Sequence, residues 1–352
     1  MNTRFGSNMK CTFKHALGLL FMATVFAGTT PSFGRNSPLK GIFYQPWRED
    51  LALTPSDWDQ RMSRLHQDGL DTLYIQWLRY GDTDFLNARL KTGEPIIAAI
   101  LDSAATHGIN IYMGLFSDPD YFHALPLPLP DLTGYLSSLR TKSLDTARSF
   151  VARYGKHPAF HGWYLPEEID DLNWQSPDRQ QLLNTHLRRL RNGLKRLDRH
   201  KSAAVSSFFT GAASPEAYAA FCKRLMDGAD HLLLVQDGLG TGRTDLCTTQ
   251  KYHDMLHETA GHDRRLYWVV ELFNDELPGP GFSGKAVPPD QFHERLAVVH
   301  ELFRGKRLIA FSLRYWLDEN ARLSEHYGRH FHQSNQNAGP EILKKANPPK
   351  NP

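Results

Sequence analysis

Gly162-Trp163-Tyr164-Leu165-Pro166-Glu167-Glu168 and Leu266-Tyr267-Trp268-Val269-Val270-Glu271 are two apolar runs that each stop on glutamate. They are the fourth and seventh of eight such runs. The full set is Lys40–Gln45, Thr72–Trp77, Asn110–Phe116, His161–Leu165, Ser202–Phe209, His231–Gln236, Leu266–Glu271 and Leu308–Leu313. Most are continuously apolar, β-branched or aromatic rather than alternating. Strands covered on both faces read this way, as parallel sheets require.

Helical stretches separate the runs. Thr54-Pro55-Ser56-Asp57, Ser176-Pro177-Asp178 and Ser214-Pro215-Glu216 each supply an N-cap, a proline at the first helical position and an early acid, and Pro289-Asp290 opens the seventh helix similarly. Asp68-Gly69, His107-Gly108 and Asp227-Gly228 read as helix stops. Eight strand–helix units predict an α/β chain, a single (β/α)8 TIM barrel with right-handed crossovers. Extended loops on the catalytic face are expected after strands two, three and seven. They include Tyr121–Gly134 with its Leu-Pro repeats and the Pro/Gly-rich Asn274–Pro289.

The ends read differently. Arg4, Lys10 and Lys14, then apolar Ala16–Ala27, then a turn-rich segment to Gly34, read as a secretory signal peptide over 1–34. The barrel is placed at 35–333, with a disordered tail over 334–352. The expected location is periplasmic or secreted, with no membrane contact after cleavage. A formal charge of +3 argues against a nucleic-acid partner. The basic stretch Arg188–Arg196 has Leu187, Leu190, Leu194 and Leu197 at helical spacing, as a solvated outer helix does. Cys222 and Cys247 are compatible with a bridge in an oxidising compartment or with two free thiols.

In a barrel, the ends of strands four and seven point at one pocket. Paired carboxylates there suit glycosidic cleavage, in which one protonates the leaving oxygen and the other acts as nucleophile or base. The candidate catalytic residues are Glu168 and Glu271, and alternation alone leaves open whether Glu167 or Glu168 faces inward. Candidate substrate-binding residues are Tyr44, Gln45, Trp47, Gln76, Trp77, Glu167, Asp237, Tyr315 and Trp316, all at or near strand ends. Asp237 also reads as a cap for the turn that follows it. No metal and no cofactor is expected. Gly238-Leu239-Gly240-Thr241-Gly242 lacks phosphate-loop spacing, His157 and His161 flank a proline, and His326, His330 and His332 read as a surface cluster. No Gly-x-Ser-x-Gly elbow supports an esterase.

Gly41–Trp47, Gln76-Trp77, Gly162–Asp170 and Gln236–Gly240, in that order, resemble a bacterial domain-of-unknown-function family of exported barrels. Those proteins look like clan A glycoside hydrolases. The resemblance implies an acid/base at Glu168 and a nucleophile at Glu271, the pairing of a retaining mechanism. It also implies a bacterial exopolysaccharide or related polysaccharide as substrate, with exopolysaccharide secretion proteins as conceivable partners. Glu167 stands where clan A enzymes carry asparagine, so their contact to the sugar 2-hydroxyl is not expected here. The competing readings are a catalytically silent polysaccharide-binding barrel and a zinc-dependent deacetylase. The missing His/Asp ligand spacing disfavours the deacetylase.

Overall fold

The computed structural model describes residues 39–276, 283–302, 307–318 and 320–328. The expected signal peptide, the 334–352 tail, His330 and His332 lie outside the described residues.

Eight parallel strands close on themselves in chain order. They are β1 (Leu39–Tyr44), β2 (Thr72–Ile75), β3 (Asn110–Gly114), β4 (Phe160–Asp170), β5 (Ser202–Phe208), β6 (Leu232–Gln236), β7 (Leu266–Glu271) and β8 (Leu308–Phe311). The long crossover helices are α1 (Pro55–Gln67), α2 (Ile96–Thr106), α3 (Leu129–Tyr154), α4 (Pro177–Leu197), α5 (Pro215–Ala229), α6 (Leu246–Ala260) and α7 (Pro289–Leu302). This is a (β/α)8 barrel, and all eight sequence runs fall on its strands.

The caps form as their chemistry requires. Thr54, Ser176 and Ser214 side chains each accept a backbone N–H of the first turn, and Asp57 returns the bond to Thr54. Gly69 and Gly108 have φ of 80° and 67° and close α1 and α2 as expected. The Gly228 stop is a correction. α5 continues to Ala229, and Asp230 takes the left-handed position at φ 55°. The Leu-Pro repeat is a second correction, since Leu129 already begins α3 with Pro130 in its first turn, where a missing N–H costs nothing. On α4, Leu187, Leu190 and Leu194 are buried as read. Arg191 is also buried, donating to the Lys201 carbonyl. Cys222 is a buried free thiol, so it is not bridged to Cys247.

The barrel interior carries one side chain from each strand: Phe43, Tyr74, Tyr112, Tyr164, Ala204, Leu234, Val269 and Ile309. Aromatics fill the β1–β4 side, with Tyr74 stacked on Tyr112 at 4.8 Å and Phe43 edge-on to Tyr164 at 5.1 Å. Small and aliphatic residues fill the other side, so the lumen is a packed floor beneath the mouth rather than a pore. Among the described residues, no helix is long and apolar enough to cross a membrane.

Candidate active site

Strand alternation carries this interior layer outward to the mouth. Two residues beyond the floor positions stand Gln45, Gln76, Gly114, Pro166, Ser206, Gln236, Glu271 and Phe311. Gln45, Gln76, Gln236, Glu271 and Phe311, together with Glu168, line one cavity of about 410 Å³. Gly114 has no side chain because a Cβ there would sit 2.3 Å from the Gln76 backbone.

Glu271 is buried at 2% exposure. Its Oε2 accepts the backbone N–H of Gly240 at 2.6 Å and of Thr241 at 3.1 Å. The glycine-rich loop after β6 is thus a nest for a carboxylate. Gly240 is obligatory there, because a Cβ would lie 2.6 Å from the Phe273 carbonyl and 2.8 Å from the Glu271 Cβ. Burial and the Asp237 carboxylate raise the Glu271 pKa, while the two N–H donors and Arg295 oppose that rise. Arg295, on α7, donates to the main-chain oxygens of Glu271 and Phe273 and to Asn274 Oδ1. It therefore fixes the strand end that carries the carboxylate.

Glu168 reaches the same cavity by a different route. β4 is an eleven-residue strand whose register against β5 slips between Leu165 and Ile169. Leu165 pairs with Val205 and Ile169 with Ser207, so Pro166, Glu167 and Glu168 together oppose Ser206. The two extra residues keep the strand's parity, so Glu168 faces inward in phase with Tyr164. Burial pushes its carboxyl up to about 7, against the pull of a Gln236 hydrogen bond and the Arg243 charge. Glu167 turns the other way. It is 3% exposed and its Oε1 lies 3.0 Å from His186 Nε2 on α4.

A family model described as a domain of unknown function, DUF4434, matches residues 39–321. The chain belongs to that family. A curated relative, the uncharacterized protein YbcH of Escherichia coli (strain K12), is 33% identical over 282 residues, 79% of this chain and 90% of the relative. Among solved structures, a candidate α-L-fucosidase from Bacteroides thetaiotaomicron VPI-5482 superposes with TM-score 0.62 at 16% identity, covering 88% of this chain and 98% of that one. A β-galactosidase from the haloarchaeon Halorubrum lacusprofundi gives TM-score 0.51 at 10% identity. It covers 84% of this chain, which spans 58% of that protein. At these identities the likeness is one of fold alone.

Within this DUF4434 barrel, the sequence-read binding residues divide. Gln45 and Gln76 line the carboxylate cavity, while Trp47 and Trp77 line an adjoining one. Tyr44 does not join them. It lies one residue off the inward phase, edge-on to Trp58 at 5.1 Å, and its hydroxyl donates to Asp50. Glu167 is corrected likewise by its pairing with His186. Asp237 is fully buried behind Gln236, accepting from Leu239 N at 3.1 Å and Glu271 N at 3.4 Å, so it caps the turn and braces Glu271. Trp316 is wholly buried and donates its indole N–H to Asp68 at 2.9 Å. Tyr315 packs against Phe273 at 5.5 Å, and burial pushes its phenol up to about 12.

Sequence reading passed over Arg243, Arg295 and the role of Gly240. Arg295 had a signal, for it shares the buried phase of α7 with Phe292, Leu296 and Val299, where an unpaired charge is costly. Among the described residues, no group of three or more His, Cys, Asp or Glu side chains is arranged to hold a metal ion.

Proposed function

We propose that this protein is a glycoside hydrolase acting on a bacterial exopolysaccharide or related polysaccharide outside the cytoplasm, its leader being 1–34 and its tail 334–352. One observation carries the reading: carboxyls from β4 and β7 line a single cavity, their pKa values both raised by burial, with Glu271 also held in place by two fixed backbone N–H donors. A carboxyl held near 7 by burial keeps a proton available at neutral pH. A carboxylate gripped by two fixed N–H donors is oriented for attack, and hydrogen bonding to the anion favours the charged form.

In the double displacement this suggests, Glu168 gives its proton to the glycosidic oxygen as Glu271 attacks the anomeric carbon. The C–O bond breaks and a glycosyl ester forms. Glu168, now anionic, takes a proton from water, whose oxygen displaces Glu271 and restores both groups. Gln45, Gln76 and Gln236 supply amides at hydrogen-bonding range of the sugar hydroxyls. Arg295 and Asp237 act through Glu271 and are positioning residues.

The test is incubation with a panel of bacterial exopolysaccharides, read by released reducing ends and by the anomer first formed in proton NMR. Release that is abolished in Glu271→Gln, with the anomeric configuration kept, supports the reading. Binding without release from any polymer would replace it with a saccharide-binding barrel serving a secretion assembly.

A further inference from the structure

A second cavity, of about 620 Å³, adjoins the first on the β1–β3 side of the mouth. The two share Gln45, Gln76, Phe122 and Glu168, so Glu168 stands at their junction and Glu271 belongs to one alone. Its volume lies within the roughly 300–1,000 Å³ of ligand pockets in general. It is built on ordered backbone. The loops after β2 and β3 pair as a three-stranded sheet, Thr83–Asp84 beside Arg79–Tyr80 beside Phe116–Ser117.

The lining combines flat apolar faces with polar atoms that lack protein partners. Trp77 lies 4.9 Å from Tyr80, and Trp47 and Tyr80 stand 41% and 39% exposed. Those are large aromatics left open at a cavity rim, where ordinary packing would cover them. Among the described residues, Gln76 Oε1 and Trp77 Nε1 are buried without a hydrogen-bond partner, on residues only 6% and 8% exposed. Buried polar atoms are ordinarily paired. An aromatic platform with one acceptor and one donor beside it matches the C–H face and the hydroxyl edge of a pyranose.

We infer that this second cavity is a saccharide-binding arm continuous with the carboxylate cavity, so that the substrate is an oligo- or polysaccharide whose further units lie over Trp47, Trp77 and Tyr80. The inference rests on the saccharide reading of the carboxylate cavity and deepens it. A monosaccharide glycoside would fill one cavity and leave the arm unused.

The test titrates the full chain with disaccharides to hexasaccharides from partial hydrolysis of cellulose, mannan and poly-N-acetylglucosamine. Calorimetry and tryptophan fluorescence read the binding. The expected result is affinity rising about tenfold or more with length in at least one series, the size of one well-made aromatic contact. That rise is lost in Trp47→Ala and in Tyr80→Ala, both at exposed positions that fold readily, and reduced in Trp77→Phe. Flat affinity across lengths, a rise surviving in both alanine variants, or no binding in any series overturns the arm. Length-dependent binding without sugar release keeps the arm and removes the hydrolase. Release with flat length dependence does the reverse.

Discussion

β7 and β4 each bring a glutamate to the same cavity, and they do so by opposite means. β7 is regular: it pairs in unbroken register with β6 and β8, and its alternation delivers Val269 and Glu271 inward without adjustment. β4 holds three residues against Ser206, and the two extra residues leave Glu168 in the inward phase of Tyr164 and Glu167 in the outward one. The surroundings of the two carboxyls differ as well. Burial raises both pKa values, but Glu271 is gripped by backbone N–H groups that cannot move away, whereas Glu168 meets a side-chain amide and an arginine. The regular strand holds its carboxyl with fixed donors and the bulged strand with movable side chains.

The sharpest test of this contrast is Glu271→Gln. Loss of an attacking carboxylate is expected to lower kcat on the order of 10⁴-fold or more, with substrate affinity retained. Single-turnover kinetics and direct binding separate the two. Next comes Glu168→Gln, expected to lose about 10² to 10⁴-fold on unactivated glycosides. Far less should be lost on aryl glycosides whose leaving group needs no proton. Because burial raises the Glu168 pKa to about 7, the competent acid form is filled below that pH and lost as pH rises through it. The alkaline limb of kcat/KM in the wild-type chain should therefore centre near 7 and vanish in Glu168→Gln. The same raised pKa contributes stability that is fully present below the unfolded value of 4.5 and fades as pH rises through about 7. In Glu168→Gln that pH-dependent loss of melting temperature should be smaller.

Gly240→Ala probes the fixed-donor side. A methyl forced to within 2.8 Å of Glu271 must displace the loop or the carboxylate. Overpacking of this kind costs about 1–3 kcal/mol. Melting temperature and kcat should fall together, with the alkaline limb unmoved. The smallest expected effect is that of Glu167→Gln. It weakens a buried pair with His186 while keeping a hydrogen bond, at about 1 kcal/mol of stability. A loss of the alkaline limb there would mean that the wrong glutamate has been assigned the proton.

Legibility in the sequence followed regularity. Glu271, Gln45 and Gln76, singled out because they stand at strand ends, do line the cavity. Tyr44, Asp237 and Trp316 failed for a shared reason. Each sits near a strand end, but position along the chain does not say which side of the sheet a side chain meets. Tyr44 and Asp237 are one residue out of phase, and Trp316 belongs to a helical turn, Leu313–Trp316, beyond β8. The glycine-rich loop was visible as a motif without phosphate-loop spacing, and its role went unread because the anion it holds is a side chain of this same chain.

The amino-acid sequence by itself determined the eight-fold strand–helix order, the caps and the placement of acids at the ends of strands four and seven. Those depend on local periodicity and backbone chemistry, which neighbouring residues carry in full. Tertiary structure alone showed that β4 keeps its alternation past Pro166, so that Glu168 is the inward glutamate, and decided which loop amides and arginine hold its counterpart. Whether a strand runs on past a proline depends on the partner it pairs with, and a carboxylate's proton affinity depends on groups brought beside it from distant parts of the chain.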